Sequence, residues 1–141
     1  MDITYNDLES AFFFVSAAPM YTNHAFLDKE TGQFFYSSEY GDSDELPQDI
    51  DEASRYVAIP HKNELDLGKD LVFRFIEDLA LPLMNEVQHI FRKRGAYGRF
   101  KDLLERHGIL QQWYNFEASE QKSALKEWCE ENGIELTTDS L

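Results

Sequence analysis

The chain holds one cysteine, Cys129, and four prolines among 141 residues. A single thiol excludes an intramolecular disulfide framework and any multi-cysteine zinc site. No apolar run reaches the ~18 residues that a membrane-crossing helix needs. Positive charge is scarce: 13 Lys and Arg stand against 27 Asp and Glu, for a net −14. Such a balance repels nucleic acid and anionic lipid at the level of the whole molecule, so no membrane partner is expected. Signatures of known chemistry are also missing. There is no nucleophile elbow, phosphate-binding Walker loop, dinucleotide fingerprint or kinase signature. No catalytic residue, metal or cofactor is therefore expected. The opening run MDITYNDLESAFFFVSAAPM begins acidic, which suits a secretory leader poorly, and the expected compartment is the cytoplasm.

What is present can build a core. Hydrophobic residues make up 43% of the chain and aromatics 14%, with 11 Phe, 7 Tyr and 2 Trp. A chain of this size buries roughly two thirds of its unfolded surface without metals or disulfides. The expectation is one domain over residues 1–136 and a frayed tail over 137–141.

Thr4 is a helix N-cap, with Asp7 three residues on and Ile3 and Leu8 at the positions of a hydrophobic staple. Leu8, Ala11, Phe12 and Val15 follow at helical spacing, and Pro19 ends the element. Residues 24–28 and 33–37 read as an antiparallel hairpin around Lys29-Glu30-Thr31-Gly32, and residues 55–59 as a third strand. Between them, residues 39–52 carry seven acidic side chains and no basic one, the composition of a solvated loop. Asp42, Asp44 and Asp49 there miss the calcium-loop spacing.

The rest is helical by periodicity. Leu71, Val72, Phe75, Ile76 and Leu79 form one stripe; Leu83, Val87, Ile90 and Phe91 a second; Tyr97, Phe100, Leu103, Leu104 and His107 a third. Ile109 to Phe116 reads as a short helix or turn, with Ser119 capping a last long helix that Asn132-Gly133 closes against Ile134. Strands followed by helices predict an α+β fold: a small three-stranded antiparallel sheet with five to six helices, the C-terminal half all-helical.

The candidate site is cationic. Arg92, Lys93, Arg94, Arg99, Lys101 and Arg106 crowd into fifteen residues, which carry +4 while the remainder carries −18. One reading is an anion-recognising surface for an acidic protein partner, a phosphate or an RNA backbone. Gly95 and Gly98 then evoke the Gly-x-x-Gly clamp of KH domains. The plainer reading has Arg92–Arg94 complementing a helix dipole, with Arg99–Asp102 and Lys101–Glu105 pairing at helical spacing. His61 with Glu64 and Asp66 reads as a polar surface turn, His107 as a helix-terminal cation, and Cys129 as a small core hydrophobe. Trp113, Tyr114, Phe116 and Trp128 read as core, with a partner groove as the alternative.

Gly95-Ala96-Tyr97-Gly98-Arg99-Phe100-Lys101-Asp102-Leu103-Leu104, Trp113-Tyr114-Asn115-Phe116, Ala124-Leu125-Lys126-Glu127-Trp128 and Asn132-Gly133-Ile134 together resemble UPF0158, a family of uncharacterised bacterial proteins. The Asp28 to Gly32 turn resembles it as well. The resemblance spans roughly residues 5–135 and implies a compact bacterial cytosolic α+β domain with no catalytic set to carry over. Three functions remain open: an interaction module docking a protein partner through the basic patch and acidic loop, a phosphate or RNA binder using residues 92–106, and an enzyme with an unrecognised site.

Overall fold

The computed structural model describes residues 3–39 and 46–137. Two compact units divide the chain: residues 1–65 with 125–141, and residues 66–124.

The first unit opens with α1 (Tyr5–Ser16). Thr4 Oγ1 accepts the Asp7 N–H at 3.0 Å, and Ile3 and Leu8 are both buried. The cap and staple thus form as their spacing dictates. β1 (Asn23–Asp28), β2 (Phe34–Ser38) and β3 (Tyr56–Ala58) make an antiparallel sheet in the order β2-β1-β3. Gly32 takes φ +79° and returns its N–H to the Asp28 carbonyl at 2.8 Å, which closes the hairpin. α1 lies along β1, so Leu8, Ala11, Phe12 and Val15 share a core with Ala25 and Leu27.

At the turn end of β1, Asp28 is 2% exposed. Arg55, just before β3, donates to both of its carboxylate oxygens, Nε to Oδ1 at 3.1 Å and Nη2 to Oδ2 at 2.9 Å. The Glu30 N–H bonds Oδ1 at 2.9 Å, and Glu30 Oε2 approaches Arg55 Nε at 3.1 Å. The guanidinium also lies over the Tyr56 ring, whose hydroxyl donates to Asp49 Oδ1 at 3.0 Å. These bonds tie the hairpin turn to the entrance of the third strand.

The second unit contains α2 (Lys69–Leu79), a 3-10 turn over Leu81–Leu83, α3 (Met84–Ile90), α4 (Ala96–Arg106) and the first part of α5 (Leu110–Glu131). Pro82 sits in the 3-10 turn, where its missing N–H costs no helical bond. The core gathers Leu71, Val72, Phe75 and Ile76 from α2, Val87 from α3, Phe91, Phe100, Leu103 and Leu104 from the α3–α4 hairpin, and Trp113 from α5. Phe100 meets Trp113 edge to face at 5.1 Å, and Phe75 meets it at 5.4 Å. Such contacts add about 0.5–1.5 kcal/mol each beyond burial.

Four expectations are corrected. Leu79 is 54% exposed, because it ends α2 and the chain leaves the helix at Ala80. Tyr97 and His107 stand at the two ends of α4, exposed, so its buried stripe narrows to Phe100, Leu103 and Leu104. Residues 110–131 form one helix without a break at Ser119, which is mid-helix and exposed: the stretch has no Gly or Pro to stop it. Its last part belongs to the first unit, where Leu125, Trp128 and Cys129 are buried. Gly133 at φ +68° and the Ile134 N–H on the Cys129 carbonyl at 2.8 Å close α5 as expected. Finally, His61 is 4% exposed rather than on a surface turn.

Of the acidic stretch, residues 40–45 lie outside the described residues, as do 138–141 of the tail. Thr137 donates its N–H to the Ile3 carbonyl at 2.9 Å.

Candidate functional site

α3 is short, seven residues, and its last-turn carbonyls are met by N–H groups of the turn that follows, Phe91 on Val87 at 3.1 Å and Arg92 on His89 at 3.2 Å. Gly95, at φ +73°, turns the chain so that α4 starts one residue later. Arg92, Lys93 and Arg94 occupy this turn, each exposed. Arg99, one turn into α4, points back at it. Its Nη1 donates to the Arg94 carbonyl at 2.8 Å, and its Nη2 donates to the carbonyls of Ile90 at 3.2 Å and Lys93 at 3.3 Å. A Cβ on residue 95 would lie 3.3 Å from Nη1, so glycine there serves both the positive φ and the close approach of the guanidinium.

The remaining cations do other things. Lys101 Nζ sits 5.7 Å from the centre of the Tyr114 ring, a cation–π distance. Arg106 is exposed in the last turn of α4, where its charge complements the helix dipole. Neither the Arg99–Asp102 pair nor the Lys101–Glu105 pair forms. Backbone carbonyls and an aromatic face hold those cations instead. Among the described residues, none of the six cations has a carboxylate oxygen within 4.0 Å. The fold therefore brings three of the six together on one exposed turn, sets Arg99 behind them, and distributes Lys101 and Arg106 along α4.

Gly95 and Gly98 make no KH-type loop. Gly95 is the turn residue, whereas Gly98 lies inside the first turn of α4 with open space beside it. Two aromatics that sequence reading placed with the core are half-exposed on this unit, Tyr97 and Tyr114. Tyr97 rests edge-on against Phe91 at 5.1 Å, and burial, then Glu117, pushes its phenol above the usual range.

Other candidates resolve into structural roles. His61 Nδ1 accepts the Asn63 N–H at 3.1 Å, which places its proton on Nε2, bonded to the Ala18 carbonyl at 2.8 Å. Its main-chain N–H meets Glu64 Oε1 at 3.3 Å. The Nε2 bond ties the residues just after α1 to the chain after β3, while Nδ1 closes a local turn with Asn63. The signal available in the sequence, a histidine wedged behind Ile59-Pro60, was too local to show a partner 43 residues away. Cys129 is 2% exposed, and burial, then Glu130, pushes its thiol up to about 11, far from a nucleophile's range. Among the described residues, no group of three or more His, Cys, Asp or Glu is placed to hold a metal ion, and no helix is long and apolar enough to cross a membrane.

Among the described residues, a three-stranded antiparallel sheet and five helices define a small α+β protein, and a cationic turn lies between two of those helices. Residues 12–140 match the Uncharacterised protein family (UPF0158), and the chain belongs to that family. No curated protein and no solved structure matches it.

Proposed function

We propose that this protein is a non-enzymatic interaction module that docks an acidic segment of a partner protein on the α3–α4 turn. The observation that carries the reading is the run Arg92-Lys93-Arg94, exposed and without a described carboxylate within 4.0 Å, on a chain whose remainder is strongly negative. Clustered charge of one sign against an opposite background sets docking orientation and partner choice more than raw affinity. The half-exposed Tyr97 adds a large amphipathic ring three residues further on, of a type favoured at interface centres. The free buried thiol is compatible with a reducing compartment such as the cytoplasm.

A second reading, a phosphate or RNA site, draws on the start of α4, which no side chain caps. The net charge of −14 opposes a polyanion as large as RNA.

Fluorescence anisotropy with a labelled Asp/Glu-rich peptide and with a single-stranded RNA oligomer distinguishes them. The expected result is peptide binding at roughly 0.1–1 mM at low salt, the sum of a few exposed charge pairs. It should weaken as the Debye length shrinks and vanish in the Arg92→Glu/Arg94→Glu chain. Preferential RNA binding establishes the second reading; no binding of either at low salt ends both.

A further inference from the structure

We infer that Arg99 is a positioning residue for this surface: its guanidinium locks the α3–α4 turn in one shape and thereby fixes where Arg92, Lys93 and Arg94 present their charges. The inference rests on the docking reading above and adds a division of labour among the six cations.

The geometry is specific. Three main-chain carbonyls, of Ile90, Lys93 and Arg94, converge on two guanidinium nitrogens at 2.8–3.3 Å. Two of these carbonyls belong to the very residues whose side chains carry the outward charge. Their peptide planes cannot rotate without breaking a bond to Arg99. The planar five-donor fork satisfies this spread of acceptors from one side chain; an ammonium on a flexible stem does not. Arg99 is also occupied. With both terminal nitrogens on carbonyls, its service to a ligand is indirect, through the turn. A turn already held in shape loses less conformational freedom on docking. Gly95 completes the device, because any Cβ there would press on Nη1 at 3.3 Å.

The test is Arg99→Lys in the full chain, which preserves charge and removes the fork. Hydrogen exchange at Phe91, Arg92 and Lys93, whose N–H groups bond the carbonyls of Val87, His89 and Ile90, reads the turn. The amides of Leu103 and Leu104 serve as an internal control for the fold. The expected result is about tenfold faster exchange at residues 91–93, with the control unchanged. Affinity for the acidic peptide should fall about threefold while its salt dependence keeps the wild-type slope, since no ligand-facing charge is lost. Arg94→Gln, in contrast, should flatten that slope. Gly95→Ala, which disturbs the same contact from the other side, should reproduce the faster exchange and keeps the test open should Arg99→Lys fail to fold. Unchanged exchange at residues 91–93 in these variants overturns the inference. So does faster exchange with undiminished affinity. Faster exchange in a protein whose wild-type chain binds no acidic peptide ends the docking reading and reduces Arg99 to a strut.

Discussion

Asp28 and Arg55 lie 27 residues apart and meet in a two-point ion pair whose acidic side chain is almost wholly sealed from solvent, 3% exposed against 31% for the arginine side chain. A carboxylate out of water is costly unless its oxygens are bonded, and here two guanidinium nitrogens and the Glu30 N–H do so. The pair is the clasp between the hairpin turn and the third strand.

Removing its charge is therefore expected to destabilise the protein in a pH-dependent way. The Arg55 hydrogen bond, assisted by the Glu30 N–H, holds the Asp28 carboxyl down to about 2. An unfolded aspartate titrates near 3.9. Above that value the pair contributes fully. As pH falls from about 4 through about 2 the unfolded chain binds a proton that the folded chain refuses, and the contribution disappears. Asp28→Asn should cost about 2–3 kcal/mol at neutral pH. Urea midpoints of both chains, followed downward in pH, should converge toward pH 2; a gap that persists there would place the effect elsewhere.

Two glycines three residues apart should respond with opposite signs to the same change. Gly95 has φ +73° and a guanidinium nitrogen 3.3 Å from where a Cβ would stand, so Gly95→Ala should destabilise by about 1–2 kcal/mol. Gly98 is helical with nothing within 4 Å, so Gly98→Ala should stabilise by about 0.5–1 kcal/mol. Thermal unfolding of the two variants checks both; equal shifts would contradict the turn geometry.

Cys129 should be silent in the native protein. With its thiol pushed up to about 11, reaction with a disulfide reagent at pH 8 should run at least about a hundredfold slower than in denaturant. Rapid native labelling would show that the end of α5 opens freely.

The parts of the fold legible in the sequence are those that short-range rules govern. Thr4, Asp7, Ile3 and Leu8 specify a helix start because all four partners fall within a stretch of six residues. Gly32 and Gly133 mark turns because a positive φ is cheap only for glycine. The helical periodicity that carries Phe75, Phe91 and Phe100, and the apolar setting of Trp113, mark a core, and all four are buried in one cluster. The stripe edges depend on where a packed surface ends, and the last helix on where the chain breaks. Leu79 and Tyr97 kept the correct period yet lay past the edge of the packed surface. Ser119 had the chemistry of a cap but no chain break to cap.

The cationic site divides in the same way. Six basic residues, their segregation from the acids and their placement beside a glycine follow from residue order alone, because net charge and spacing are one-dimensional quantities. That Arg99 turns back to the carbonyls of Ile90, Lys93 and Arg94 while the side chains of Arg92, Lys93 and Arg94 stay exposed does not. Nor does the burial of His61, or the meeting of Asp28 with Arg55. Each of these is decided by a hydrogen bond whose acceptor is presented by another element. Only the assembled backbone puts donor and acceptor within about 3 Å, and desolvation then makes leaving them apart more costly than joining them.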